Sequence, residues 1–461
     1  MKLTFLGGAH SVTGANYLLE HKNQKILIDC GLFQGSEFAD ELNYTPFGYK
    51  PSEVQHVLIT HSHIDHVGRL PKLFRDGFRG SVITTGASVD MIRVTLPDNM
   101  RHIEEEARDM GREPLFHESD MNGLFGLLWE TQYHKDIDLG DGISAKFLDA
   151  GHILGSAIIV ISWKDADGTA KKIAFTGDLG NPPTPLLRPT EYVSDVDYVV
   201  IESAYGDRIH ENRDQRRELL RGVVMETMQG NGALLIPSFA VERTQELLYE
   251  LDQISHEHSF ENVPVFVDSP LAIKMTSVYQ KHGDYFNKEA AYLINSGDDI
   301  FHFKGLHMTA SVEESKAINA APFPKIIIAG SGMSQGGRIL HHEQRYLPDP
   351  RSTILFIGHQ VAGSRGRKIQ QGDDVVRIFG ENVPIRCRRI TISSYSAHAD
   401  QNGLLAWIER ARNPLTGKKT RLKHVFVVQG EESAAKELAR LAAERFGLTT
   451  DAPAQGESVM L

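Results

Sequence analysis

The run Thr60-His61-Ser62-His63-Ile64-Asp65-His66-Val67-Gly68 constrains this chain more than any other feature. It follows the apolar, β-branched stretch His56-Val57-Leu58-Ile59, so three imidazoles and a carboxylate leave one strand end together. Neutral imidazole and carboxylate are the donors that zinc takes in preference to hard cations. Other ligand-type residues close similar runs: Asp29 after Lys25-Ile26-Leu27-Ile28, Asp178 after Phe175-Thr176-Gly177, and Glu202 after Tyr198-Val199-Val200-Ile201. His152 lies in Ala150-Gly151-His152-Ile153-Leu154-Gly155-Ser156. Runs of this kind read as strands buried on both faces with helices between them, an α/β fold class. In open α/β sheets the edge where strands give way to loops is where ligands bind.

A chain of 461 residues is long for one core, so two or three domains are expected. A second set of apolar runs, Ala233-Leu234-Leu235-Ile236, Val263 to Val267, Lys325 to Ala329 and Thr353 to Ile357, suggests a further parallel α/β unit. The prolines of Asn181-Pro182-Pro183-Thr184-Pro185 mark a loop, and Ala362-Gly363-Ser364-Arg365-Gly366 reads as a second, basic one. From Thr449 to Leu461 no pattern is evident, and disorder is expected there.

No apolar run reaches the roughly 18–20 residues that span a bilayer. The chain starts on a strand-like segment, Lys2 to Leu6, without a signal-peptide pattern, and Cys30 and Cys387 are too few for a disulfide framework. A cytoplasmic protein with no membrane partner is the expectation. The net charge of −11 argues against a polyanionic partner, but its distribution qualifies that. Between Ser331 and Ile392 ten Lys and Arg stand against five Asp and Glu, a local balance of +5 that can serve a phosphate backbone.

His61-x-His63-x-Asp65-His66, with His152 and Asp178, resembles the metallo-β-lactamase superfamily. The resemblance implies that His61, His63 and His152 bind one zinc ion, that Asp65 and His66 bind a second, and that Asp178 bridges the two. Asp29 matches the aspartate that orients ligands by hydrogen bonding. Two such metals can clamp a hydroxide and lower its pKa toward neutrality, an attack competent on carbonyl or phosphorus alike, so this motif leaves the substrate open.

Later motifs narrow it. Ile201-Glu202-Ser203-Ala204-Tyr205-Gly206-Asp207-Arg208 is similar to a signature of the β-CASP nucleases, in which an α/β cap is inserted into the lactamase fold. Asp268-Ser269-Pro270-Leu271-Ala272, Ser331 to Arg338 and Gly358-His359-Gln360-Val361-Ala362-Gly363-Ser364-Arg365-Gly366 look like cap signatures. The implied architecture is an αββα metallo-β-lactamase sandwich over 1–204 and 393–461 around a β-CASP cap over 205–392, with the active site in the cleft between them. His398, in Ser394-Tyr395-Ser396-Ala397-His398-Ala399-Asp400, resembles the general acid of these nucleases, and Glu202 the carboxylate that orients it and keeps it charged. With Asp65 these form the implied catalytic set.

Ser331, Arg338 and Arg365, with Arg367 and Lys368 beside them, are candidate phosphate contacts, while His341 and His342 are given no metal role. The family's third motif places a histidine where Phe426-Val427-Val428-Gln429-Gly430-Glu431 has Gln429, a weaker candidate ligand whose amide oxygen binds zinc less tightly than imidazole. The leading expectation is a ribonuclease with two zinc ions per chain that hydrolyses single-stranded RNA; a homodimer is a candidate assembly. A DNA or small-molecule phosphodiesterase of the same fold and a non-catalytic nucleic-acid-binding relative are the alternatives.

Overall fold

The computed structural model describes every residue except 36, 211–214, 259–262, 359, 361–362 and 413–419. The chain divides into two compact units. One comprises Met1–Pro182, Pro189–Ile209 and His398–Leu461; the other comprises Pro183–Arg188 and His210–Ala397. His359, Val361 and Ala362 of the last cap signature lie outside the described residues.

The first unit holds two seven-stranded sheets. The first runs, edge to edge, Ser458–Met460, Lys2–Gly7, Asn16–His21, Gln24–Ile28, His56–Leu58, Ser81–Thr85 and Leu128–Thr131. The second runs Thr449–Asp451, His424–Val427, Tyr198–Ile201, Ala170–Phe175, Ala157–Lys164, Ile143–Asp149 and Asp136–Gly140. Alternation along the strands sets the layers. Ile26, Ile28 and Leu58 of one sheet join Phe147, Ile159, Ile161 and Phe175 of the other in a shared core. Their neighbours Leu27 and Val57 turn instead to Leu70, Leu73, Ile92 and Leu96 of the helices Leu70–Arg75 and Gly86–Asp109. Behind the second sheet, Ile158, Ala174 and Val199 pack with Leu404, Ile408 and Leu438 of the helices Gln401–Arg412 and Glu432–Phe446. The result is an αββα sandwich, each buried large side chain contributing roughly 1.5–3 kcal/mol.

Two expectations are corrected here. The sheets are mixed: each joins antiparallel strands at one side to parallel strands at the other. The tail is structured. Thr449–Asp451 lies parallel to His424–Val427, Ser458–Met460 lies antiparallel to Lys2–Thr4, and the buried Leu461 donates its amide to the carbonyl of Met1. Edge strands of three residues are too short to show alternation, so only the pairing reveals them.

The second unit is a parallel six-stranded sheet in the order Leu306–Met308, Val265–Asp268, Lys325–Ala329, Ala233–Pro237, Thr353–Phe356, Arg388–Thr391. A separate hairpin, Val375–Ile378 with Glu381–Pro384, packs its Val376, Ile378 and Val383 into the same core as Leu235, Ile327 and Phe356. The segment read as a basic loop is also corrected: Ser364 caps a helix, Arg365–Gln371, its hydroxyl accepting the amide of Arg367.

Candidate active site

All the residues expected to hold metal lie in the first unit, in the segments that follow its strands, Asp65 and His66 on the short helix Ile64–Val67. The anchor is Asp29, fully buried just past Gln24–Ile28 at a positive φ of 60°. One carboxylate oxygen accepts the amide of Thr60 at 2.8 Å, and the other accepts the Thr60 hydroxyl and meets Nδ1 of His66, both at 2.8 Å. This pins the loop that carries the histidine motif and leaves Nε2 of His66 facing Asp178 Oδ1 at 3.4 Å and Asp65 Oδ2 at 3.8 Å. The close approach needs Gly31, where an added Cβ would fall 1.5 Å from the carbonyl oxygen of Asp65.

Three imidazoles converge on the other side of Asp178. His61 Nε2 is 3.0 Å from His63 Nδ1, and His152 Nε2 is 3.2 Å from the same nitrogen. Asp178 Oδ2 lies 3.5 Å from His61 Nε2 and 3.4 Å from His152 Nε2. A tetrahedron built on zinc–ligand bonds of about 2.0–2.1 Å has edges of about 3.3–3.4 Å, so these four donors fit one tetrahedral cation. Burial holds His61 well below the usual imidazole range, in the neutral form a metal requires. The Ser156 hydroxyl, accepting the amide of His152, fixes the loop that delivers the third ring.

Asp178 therefore faces two ways, Oδ2 toward His61 and His152 and Oδ1 toward His66. Burial would raise its pKa, but His66, His61 and His398 outweigh that and hold the carboxyl well below the ordinary range. Conversely, burial opposes charge on His66, yet Asp178, Asp29 and Asp65 together raise it well above the usual value. The pocket around His66 thus favours a positive charge, as a second metal-binding position must. Gln429 reaches this same place, its amide nitrogen 2.8 Å from His66 Nε2 and 3.1 Å from Asp178 Oδ1. Turning the amide over would put its oxygen there instead.

Glu202 and His398, 196 residues apart in sequence, meet: Nδ1 of His398 lies 3.1 and 3.3 Å from the two carboxylate oxygens. Glu202 is 1% exposed and also accepts the amide of Leu179 at 2.6 Å. Burial disfavours the His398 imidazolium, but Glu202 and then Asp178 raise its pKa to about 9. The ring lies 4.6 Å from that of His152 and 6.0 Å from that of Tyr205, so it borders the metal cluster.

Reading the sequence missed Thr60 and Ser156, the hydroxyls that aim the ligands; a Thr immediately before His61 at a strand end was the available sign. The candidate phosphate contacts lie in the second unit, outside the cluster. Ser331 spends its hydroxyl oxygen on the amides of Gln335 and Gly336. Arg338 bonds to Asp268 and to the carbonyls of Thr309 and Ala310, so it braces these segments to one another. His342 completes that brace, Nε2 being 2.8 Å from Asp268, which these partners hold down to about 2 against the effect of burial.

Sequence comparison agrees with this geometry. A metallo-β-lactamase superfamily model matches residues 12–221, a Beta-Casp domain model 244–369, and a Zn-dependent metallo-hydrolase RNA specificity domain model 382–453. A ribonuclease of Thermus thermophilus is 39% identical over 446 residues, covering 96% of both chains. A transcription termination factor of Methanosarcina mazei is 30% identical, covering all of this chain and 72% of its own. A protein of unknown function from Enterococcus faecalis, 11% identical, shares the fold with a TM-score of 0.56 over 100% of this chain and 99% of its own. The fold and the His/Asp cluster define a metal-dependent hydrolase. The chain belongs to the β-CASP family of the metallo-β-lactamase superfamily.

Proposed function

We propose that this protein is a two-zinc ribonuclease that hydrolyses phosphodiester bonds of single-stranded RNA. The observation that carries the reading is Asp178, whose two oxygens divide between the His61–His63–His152 group and His66. His61, His63, His152 and Asp178 Oδ2 would hold one ion, and Asp65, His66 and Asp178 Oδ1 the other, with Gln429 at its edge. Bound zinc supplies Lewis acidity and a lowered pKa for water. The chain supplies the rest. Asp29 and Thr60 fix the rings, and His398 gives a proton to the departing sugar oxygen. Its Nδ1–H is donated to Glu202, so Nε2 is the atom that passes the proton on. The RNA specificity domain match and the ribonuclease relative support RNA as the polymer. Matched labelled RNA, DNA and small diester substrates test this in competition. The expected outcome is cleavage of RNA well ahead of the others; preference for DNA or a small diester overturns the RNA assignment.

Gln429 is the observation that favours a second reading, a relative that binds RNA with its second metal position weakened. Gln429→His should tighten that position by about 10-fold, since imidazole is the better ligand and Asp178 and His66 are already within reach. Metal titration against a chelator reads this directly. Unchanged affinity and occupancy would mean that residue 429 takes no part in holding metal.

A further inference from the structure

The second unit carries a basic pocket that the metal centre does not use. It has a volume of about 460 Å³ and is lined by Arg365, Lys368, Arg377, Phe379, Gln335 and small neighbours, with no carboxylate among the lining residues. Three other cations of the basic stretch are ion-paired, Arg338 with Asp268, Arg351 with Asp349 and Arg388 with Glu226, while Arg389 bonds only to carbonyls. The two arginines lining the pocket bond to carbonyls, Arg365 to those of Ser334 and Arg377, and Arg377 to that of Gly380; the buried carboxyl of Glu343 acts on Arg365 from a distance without an ion pair. The nearest acid of the hairpin, Glu381, accepts from Gln344.

The hairpin's turn is the second observation. Phe379 and Gly380 form its two-residue loop with φ of 50° and 85°. Two positive φ values are the type I′ requirement, met most easily by Asn-Gly. A bulky Phe in the left-handed region is an outlier, and strain of this kind gathers at binding sites. This Phe buries little in return: it is 54% exposed, its ring leaning on His341 at a centroid distance of 4.7 Å. A strained residue that burial does not explain presents an aromatic face.

We propose that this pocket is an auxiliary contact for single-stranded RNA, with backbone phosphates on Arg365, Lys368 and Arg377 and one base stacked on Phe379. Cations that follow a backbone, next to an aromatic platform, are how single strands are held without reading their sequence. This rests on the RNA reading given above.

The test uses the full chain under chelation, so that RNA is bound but not cut, and fluorescence anisotropy with a labelled single-stranded oligonucleotide. Lys368→Ala with Arg377→Ala should weaken binding about 10-fold and flatten the salt dependence by about 1.4, some 0.7 for each phosphate that is no longer neutralised. Phe379→Asn, which suits the turn and so keeps the fold, should weaken binding at least 5-fold on RNA and leave binding to an abasic strand unchanged. If the variants bind within twofold of a wild type that itself binds and, with zinc restored, cleaves RNA, the pocket is overturned and the ribonuclease reading stands. If Phe379→Asn loses equally on the abasic strand, stacking is overturned. A wild type that neither binds nor cleaves RNA overturns both readings.

Discussion

Asp178→Ala should lower single-turnover RNA cleavage by at least about 10³-fold, about 4 kcal/mol of transition-state stabilisation, while the protein remains folded. The size follows from the two-sided carboxylate. Removing it takes Oδ2 from beside His61 and His152 and Oδ1 from beside His66, so both positions lose a donor at once. It also takes away the carboxylate that contributes most to drawing positive charge to this pocket, leaving Asp29 and Asp65 alone against burial. Metal content should fall in parallel. A His63→Ala variant provides the contrast, because Nδ1 of His63 lies against His61 and His152, the pair that faces Oδ2 of Asp178. That change should cost one ion and spare the other. Retention of more than a tenth of wild-type cleavage by Asp178→Ala, with both ions present, would remove the bridging role assigned to this residue.

Why the metal ligands could be read from the sequence, and their supports could not, is a matter of distance along the chain. His61, His63, Asp65 and His66 are local, and a strand end with donors at that density has few other uses. The aim of those donors is not local. Asp29 acts on Thr60 and His66 from 31 and 37 residues away, and Ser156 acts through a backbone amide that no spacing rule marks. The Glu202–His398 pair came only from family resemblance, and its geometry is visible only once two distant loops are folded side by side. Arg338 shows a related limit. As a basic residue after a glycine pair it reads as a candidate phosphate contact, and nothing along the chain reveals that Asp268, 70 residues earlier, binds it. Charge counted along a sequence does not say which charges are spent. The tail strands escaped because three residues show no period, and the mixed sheets because alternation tells burial, not strand direction.

His398→Ala should cost about 10²–10⁴-fold in kcat on RNA, and far less on a diester with a nitrophenolate leaving group. A ribose oxygen leaves poorly unless it receives a proton, whereas nitrophenolate departs near neutrality without help. The difference between the two substrates therefore isolates proton donation from everything else the ring does. This control is needed because His398 also lies 3.8 Å from Asp178 Oδ2 and could act by holding the metal cluster in place. A ring that only supports the cluster would slow both substrates equally. Glu202→Gln should show the same pattern at about 10–10²-fold, since an amide oxygen can still orient Nδ1–H but no longer stabilises the imidazolium, as the wild-type carboxylate does in raising His398 to about 9. Equal losses on both substrates for either variant would assign the pair to metal binding and leave the leaving-group proton to another donor. Unequal losses would identify His398 as the acid and Glu202 as the residue that positions and charges it.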